Sequence, residues 1–382
     1  MSHALDSCVP NPVCKSGKYK FDSMDDVQSI DKYLGDASKA NWQSQGMPVP
    51  YNDGEGVLLT LAEDTSGTLL ASTFYVWYGK ICANMTSSQG KGVVTAFILM
   101  SDVKDEIDFE VVGIDVGHVQ SNFYSQGITV YTNSANLTVE NTVAPHTYCV
   151  DWKPDELTWS VDGEDLRTVQ RSKTWNATSN RFDYPQTPSR IMLSLWPAGI
   201  SKNAKGTIDW AGGLIDWNSQ YMQNGYYYNL VTSVDVDCYD PPEGANAQGD
   251  KSYVYKDAKN PTNNTVEISD DIVVLGSLMG TGEDPGEASA STSGAAPTRS
   301  VAMVPGGNPG GGARQETVAA TGAAATATGG AQQTGGASSG GSGSFDQGNT
   351  SGNGVASLEP GLGKIGGSAL AIVVAILGLL VL

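Results

Sequence analysis

The run Asp105-Glu106-Ile107-Asp108-Phe109-Glu110-Val111 constrains this chain more than any other stretch, because it alternates carboxylates with apolar side chains at a period of two. That period belongs to a β-strand, so Glu106, Asp108 and Glu110 are expected on one face and Ile107, Phe109 and Val111 on the other, in a core. Three like charges on one strand face repel each other, which makes the arrangement costly if stability is its only purpose. Paired carboxylates close together are the equipment of glycoside cleavage. An ordinary amphipathic strand with a wet acidic face is the plainer alternative. A calcium site fits poorly, since an extended strand cannot wrap its oxygens around an ion as a glycine-turned loop does.

Apolar and aromatic runs recur between turn signals across the first two thirds of the chain. They include Gly56-Val57-Leu58-Leu59-Thr60-Leu61, Ser72-Thr73-Phe74-Tyr75-Val76-Trp77-Tyr78 and Gly92-Val93-Val94-Thr95-Ala96-Phe97-Ile98-Leu99-Met100, with later runs around Cys149, Trp159, Leu193 and Tyr227. Many short strands at this spacing predict an all-β fold, an antiparallel β-sandwich. Helix is expected only over residues 23–35, with Ser23 as the cap, and near residues 216–224. From about residue 281 the sequence turns into a Gly, Ala, Ser and Thr tract with almost no aromatics. Such a stalk buries too little apolar area to offset its chain entropy and is expected to be disordered. The division expected is an N-terminal Cys loop at 1–20, a catalytic β domain at 21–245, a linker and low-complexity stalk at 246–350, and an attachment signal at 351–382.

The formal charge is −19, of which −16 lies before residue 281. No basic stripe offers phosphate neutralisation, which argues against a nucleic-acid partner and in favour of a neutral polymer. Pyranose rings present an apolar face and a rim of hydroxyls, so aromatics with neighbouring amides suit them. Trp77, Tyr78, Tyr124, Trp196, Trp210 and Trp217 are the aromatic candidates, each with a core role as its alternative.

Five cysteines, Cys8, Cys14, Cys82, Cys149 and Cys238, match no zinc spacing and read as disulfide formers. Cys8 and Cys14 are expected to close a small loop, while the pairing among the other three stays open. Five sequons, at Asn84, Asn136, Asn176, Asn263 and Asn349, point to a glycosylated extracellular protein. Residues 1–6 lack the features of a secretory signal. Near the other end, an apolar run over residues 369–382 follows a spacer and the small residues Ser351, Gly352, Asn353 and Gly354. This is the layout of a glycosylphosphatidylinositol (GPI) attachment signal, with a transmembrane anchor as the alternative.

Three motifs in order resemble glycoside hydrolase family 16, whose members are β-jelly rolls with a Glu-x-Asp-x-Glu strand. They are Glu106-Ile107-Asp108-Phe109-Glu110; His146-Thr147-Tyr148 leading to Leu157-Thr158-Trp159-Ser160-Val161-Asp162-Gly163; and Leu193-Ser194-Leu195-Trp196-Pro197-Ala198-Gly199 followed by Gly206-Thr207-Ile208-Asp209-Trp210. Within that family the run 92–99 and the stalk are most similar to the fungal Crh (Congo red hypersensitive) cell-wall transglycosylases. The resemblance implies a jelly roll with a concave substrate cleft, and an enzyme that cuts β-1,4-linked chitin with retention and joins the new end to β-glucan or chitin. It would sit in the cell wall and on the outer face of the plasma membrane, held by a GPI anchor.

By the same resemblance Glu106 is the nucleophile, Asp108 its assisting neighbour and Glu110 the general acid/base, while Gln120, Asn122, Tyr124 and Trp196 line donor sites. A Cys82–Cys149 bridge would depart from the family pattern. No metal or cofactor is implied. Asp108, lying between the two glutamates, is expected to raise the pKa of Glu110 through its charge. A hydrolase of β-glucan or chitin is the near alternative, and a non-catalytic wall lectin or structural mannoprotein the distant one.

Overall fold

In a computed structural model the chain is described over residues 10–286, apart from 53, 258–260, 279 and 281–283, and again at two short strands, Arg299–Val301 and Arg314–Glu316. Two eight-member sheets face each other. The cleft sheet runs, from edge to edge, Ala135–Thr138, His118–Tyr124, Glu106–Val112, Val93–Ser101, Ser189–Pro197, Thr68–Val76, Trp42–Gln45 and Val27–Ser29. The back sheet runs Glu164–Gln170, Glu156–Val161, His146–Trp152, Gly79–Met85, Tyr226–Cys238, Gly56–Ala62 and Pro48–Tyr51, with Gly17–Lys20 as an extra strand beside Tyr226–Cys238. The expected antiparallel sandwich is therefore present.

The alternating pattern explains the layering. Ile107, Phe109 and Val111 are at most 1% exposed and pack into the core between the sheets, together with Phe97, Tyr148, Val150 and Trp159 from the other elements. Each such fully buried side chain contributes about 1.5–3 kcal/mol of transfer free energy. A second apolar cluster covers the opposite face of the cleft sheet, formed by Leu69, Ala71, Val94, Ala96, Ile98, Val112, Met192 and Trp196 with Ala198 and Ala211. It forms an apolar floor beside the acidic row.

Four expectations change here. Cys14 bonds to Cys238 across 224 residues rather than to Cys8, which lies outside the described residues. The reason is that Tyr226–Cys238 pairs with Gly17–Lys20, which carries the end of the long strand to the N-terminal segment. Cys82 and Cys149 are directly opposed on neighbouring strands and form the second bridge. Residues 23–35 are turns around the strand Val27–Ser29, because its parallel pairing with Trp42–Gln45 overrides the local helical pattern. The region 216–224 is likewise made of turns, and the only described α-helix is Lys205–Trp210.

The linker expected from residue 246 instead begins with folded chain. Asn246–Ala247, Ser252–Tyr255 and Val266–Ser269 build a four-stranded sheet with Asn11–Pro12. Tyr253 from it packs edge-on against Trp77 at 5.5 Å, so this sheet shares the main core.

Candidate active site

Antiparallel register sets the site. Glu110 opposes Gln120, which in turn opposes Asn136; Asp108 opposes Asn122; and Glu106 opposes Tyr124. Directly opposed residues share a face, so three carboxylates and four polar partners are displayed together on the outer side of the cleft sheet. They line a cleft of about 580 Å³ along with Tyr131, Ser134, Trp196, Gly206, Thr207 and Trp210. That volume is in the usual range for a ligand site. The expected residues Glu106, Asp108, Glu110, Gln120, Asn122, Tyr124 and Trp196 are thus brought into one place.

The aromatic candidates divide. Tyr124, Trp196 and Trp210 line the cleft, whereas Trp77 and Tyr78 are 1% exposed in the core and Trp217 packs against that core. Trp77 lies in the bend that follows the strand Thr68–Val76, and its indole N–H is held by the Gln186 carbonyl at 2.9 Å. Trp196 and Trp210 stack with ring centroids 6.1 Å apart, and the Trp210 indole donates to Gln120 Oε1 at 3.0 Å.

Glycines seat the segment that carries Trp210 and Thr207. A Cβ on Gly199 would lie 2.3 Å from the Gly213 carbonyl oxygen and 2.5 Å from the Gly92 Cα. Gly92, itself at a φ of +77°, donates its N–H to Ala211 and accepts from Gly199. Close backbone approach at this crossing brings the short helix over the sheet, and only residues without side chains allow it. The repeated glycines in the sequence were its only local signal.

Burial governs the electrostatics. Asp108 is 1% and Glu106 7% exposed, and Glu110 keeps an edge open to the cleft. Desolvation is the leading cause of a raised pKa at all three. Glu106 is pushed up to about 7, restrained by a hydrogen bond from Asp108 and by the positive charge of Lys104. Glu110 is pushed up to about 8, with the charge of Glu106 adding to burial and the Trp196 indole offsetting part. Asp108 rises furthest, by burial and then by the charges of both glutamates.

The physical picture departs from the expected one in a specific way. Burial and Glu106, rather than Asp108, elevate Glu110, because Asp108 is itself held neutral and serves as a donor to Glu106. The three carboxyls titrate as one coupled group, and burial favours a triad that carries fewer than three charges near neutral pH.

At the head of the acidic strand, Asp105 is wholly buried and accepts from the Gln126, Gln186 and Thr187 backbone N–H groups and, at 2.6 Å, from the Thr187 hydroxyl. It fastens the turn after Tyr124 and the approach to Ser189–Pro197 to the start of the strand. Sequence reading did not single out Asp105, Thr207, Tyr131 or Ser134. Two buried atoms of cleft-lining residues, Asp108 Oδ1 and Asn122 Oδ1, have no partner within the protein. Unpaired buried polar atoms of this kind mark places where a ligand supplies the partner.

The family model of glycosyl hydrolases family 16 matches residues 36–212. Crh-like protein 2 of Aspergillus fumigatus is 48% identical over 320 residues, which cover 82% of this chain and 72% of that protein. Crh-like protein 3 of Botryotinia fuckeliana is 53% identical over 284 residues, and there the match spans 74% of this chain and 63% of the relative. Among solved structures, one described as apo Crh5 transglycosylase is 31% identical with a TM-score of 0.55, covering 69% of this chain and 98% of that one. A second, described as the same enzyme in complex with NAG, matches with the same identity and TM-score. By fold, motif order and sequence, this chain belongs to glycosyl hydrolases family 16 and, within it, to the Crh-like proteins.

Proposed function

We propose that the cleft is the active site of a retaining cell-wall transglycosylase that takes chitin as donor and β-glucan or chitin as acceptor. The observation that carries this reading is the placement of Glu106, Asp108 and Glu110 on one strand face lining the cleft, with Tyr124, Asn122 and Gln120 opposite them and Trp196 and Trp210 alongside. The family resemblance supplies the roles of nucleophile for Glu106 and general acid/base for Glu110. In the first step the Glu106 carboxylate attacks the anomeric carbon, the glycosidic C–O bond breaks, and Glu110 gives its proton to the departing oxygen. In the second, Glu110, now a carboxylate, takes the proton of an acceptor hydroxyl as that oxygen bonds to the same carbon and Glu106 leaves. Neutral Asp108 steadies Glu106 by hydrogen bonding in both steps.

Aromatic rings support sugar stacking at Tyr124, Trp196 and Trp210, and amides at Gln120 and Asn122 suit hydroxyl and acetamido groups. The similarity to Crh-like protein 2 and to the Crh5 transglycosylase in complex with NAG supports the same reading. An extracellular, wall-bound setting follows from the same relatives. GPI tethering is our reading of the apolar run and small residues at 351–382, which lie outside the described residues.

The test incubates the protein with a chito-oligosaccharide donor and a fluorescent laminari-oligosaccharide acceptor, beside Glu106→Gln. Enlarged fluorescent products from the unsubstituted protein alone support the reading. Shortened donor with an unchanged acceptor makes the protein a hydrolase, and tight binding without turnover makes it a lectin.

A further inference from the structure

Asn136 begins the sequon Asn136-Leu137-Thr138 and was expected to carry a glycan, and its strand position also suits a second role. It stands directly opposite Gln120, which stands opposite Glu110, so the three side chains form one row across the cleft sheet. Asn136 lines the cleft, whereas Leu137, the next residue, is 8% exposed and packs into the core. Adjacent strands are about 4.8 Å apart, so Gln120 and Asn136 lie one and two such steps from Glu110. Each step is comparable with the length of one ring in an extended β-linked glycan.

An N-linked glycan is bulky, and on this side chain it would start inside the cleft that the donor must enter. Elsewhere the sequons are placed differently. Asn84, for example, faces away from the cleft in the back sheet, where its amide donates to Ser233 Oγ at 3.0 Å and accepts from Thr147 at 2.6 Å. Among the described sequon asparagines, Asn136 is the one that shares a face with the carboxylates.

We infer that Asn136 is an unglycosylated ligand residue, whose free carboxamide hydrogen-bonds the hydroxyl or acetamido groups of a donor sugar two ring positions from Glu110. This rests on the glycan-transfer reading above. A primary amide offers both a donor and an acceptor, which fits an N-acetylated hexosamine better than a residue that only donates or only accepts. Gln120, oriented by Trp210, precedes it along the same row.

Two substitutions separate the ligand role from the glycan-acceptor role. Thr138→Ala destroys the sequon but keeps the Asn136 amide, while Asn136→Ala removes both. The full chain is secreted from a eukaryotic host, and occupancy at 136 is read by mass spectrometry before and after enzymatic deglycosylation.

The expected result is an unmodified Asn136, unchanged kinetics for Thr138→Ala, and a threefold to tenfold loss of kcat/KM for Asn136→Ala, about the effect of one or two lost hydrogen bonds. The loss should appear only with donors long enough to reach the second ring position. A glycan at 136 on active protein, or identical kinetics for the two variants, overturns the inference. If the unsubstituted protein transfers nothing, the function proposal fails instead. Calorimetric binding of chito-oligosaccharide to the unsubstituted protein and Asn136→Ala, with the occupancy measurement, then still decides the role of Asn136: equal affinities overturn it, and weaker binding by the variant upholds it.

Discussion

The indole N–H of Trp159, on the back sheet, donates to the backbone carbonyl of Asp108 at 2.9 Å. This bond crosses the core and fixes the height of the acidic strand at its middle carboxylate. The Arg167 guanidinium lies 4.7 Å over the same indole ring and donates to the Ser121 and Asn133 carbonyls, which ties two neighbouring segments to that point.

Trp159→Phe keeps the ring in the core but removes the donor and part of the volume. A destabilisation of about 1–3 kcal/mol is expected, the range for a buried group that loses its partner. Urea denaturation should show a lower midpoint with an unchanged slope. An unaltered midpoint would mean that this bond does not hold the strand.

The pH profile of transfer follows from which groups must be charged. Activity needs Glu106 ionised, so kcat/KM should rise as pH passes about 7, and it needs Glu110 protonated, so it should fall above about 8. Since the two titrate as a pair, the limbs belong to the triad as a whole. Glu110→Gln should remove the alkaline limb on donors whose leaving group needs no proton.

Stability should run against pH over the same window. Both glutamates have folded pKa values raised above the ordinary 4.5, so their contribution is complete below about 4.5 and is lost as pH rises through about 7 to 8. Thermal melting is expected to weaken from pH 5 to pH 9, and Glu106→Gln to flatten that decline. A melting temperature that climbs over this range would show that the carboxylates are not desolvated.

Gly199→Ala tests the backbone crossing. Its added Cβ meets a carbonyl oxygen and a Cα, neither of which can swing aside, so the segment bearing Thr207 and Trp210 must move. A drop in kcat/KM of at least tenfold with little change in the far-UV spectrum is the expected outcome. Full activity would show that the short helix plays no part in the cleft.

The two disulfides should differ in worth. Loop-closure entropy favours the Cys14–Cys238 bridge, which spans 224 residues against 67 for Cys82–Cys149, by about 1 kcal/mol. Replacing each pair by serine and comparing denaturation midpoints checks the order.

Sequence carried the site's core because a period of two is local information, and the acidic strand shows the fold and the chemistry in seven residues. The cleft partners were harder. Gln120, Asn122 and Tyr124 also alternate, but that they face Glu110, Asp108 and Glu106 depends on pairing register, and their role came from resemblance. The place of Asn136 in the same row was hidden too, because a tripeptide pattern says nothing about which sheet face a residue occupies. The Cys14–Cys238 bond and the small sheet from Asn246 onward join distant parts of the chain, and no local pattern encodes such contacts. Residues 23–35 show the converse, a local helical signal overruled by a strand partner.

The small sheet also decides where mechanical load enters. A pull on the chain beyond residue 286 meets the packing of Leu275 and Leu278 on Leu34 first, where the Leu275 N–H donates to the Leu34 carbonyl at 2.8 Å. It then passes from Val266–Ser269 to Ser252–Tyr255 and Asn11–Pro12 through lateral hydrogen bonds. The covalent link from Cys14 to Cys238 then carries tension into Tyr226–Cys238 of the back sheet. The acidic strand lies in the other layer, which the small sheet reaches through the 2.7 Å hydrogen bond from the Asn11 amide to Asp102 in the turn before that strand, so tension divides between a covalent route and a polar one that can let go first.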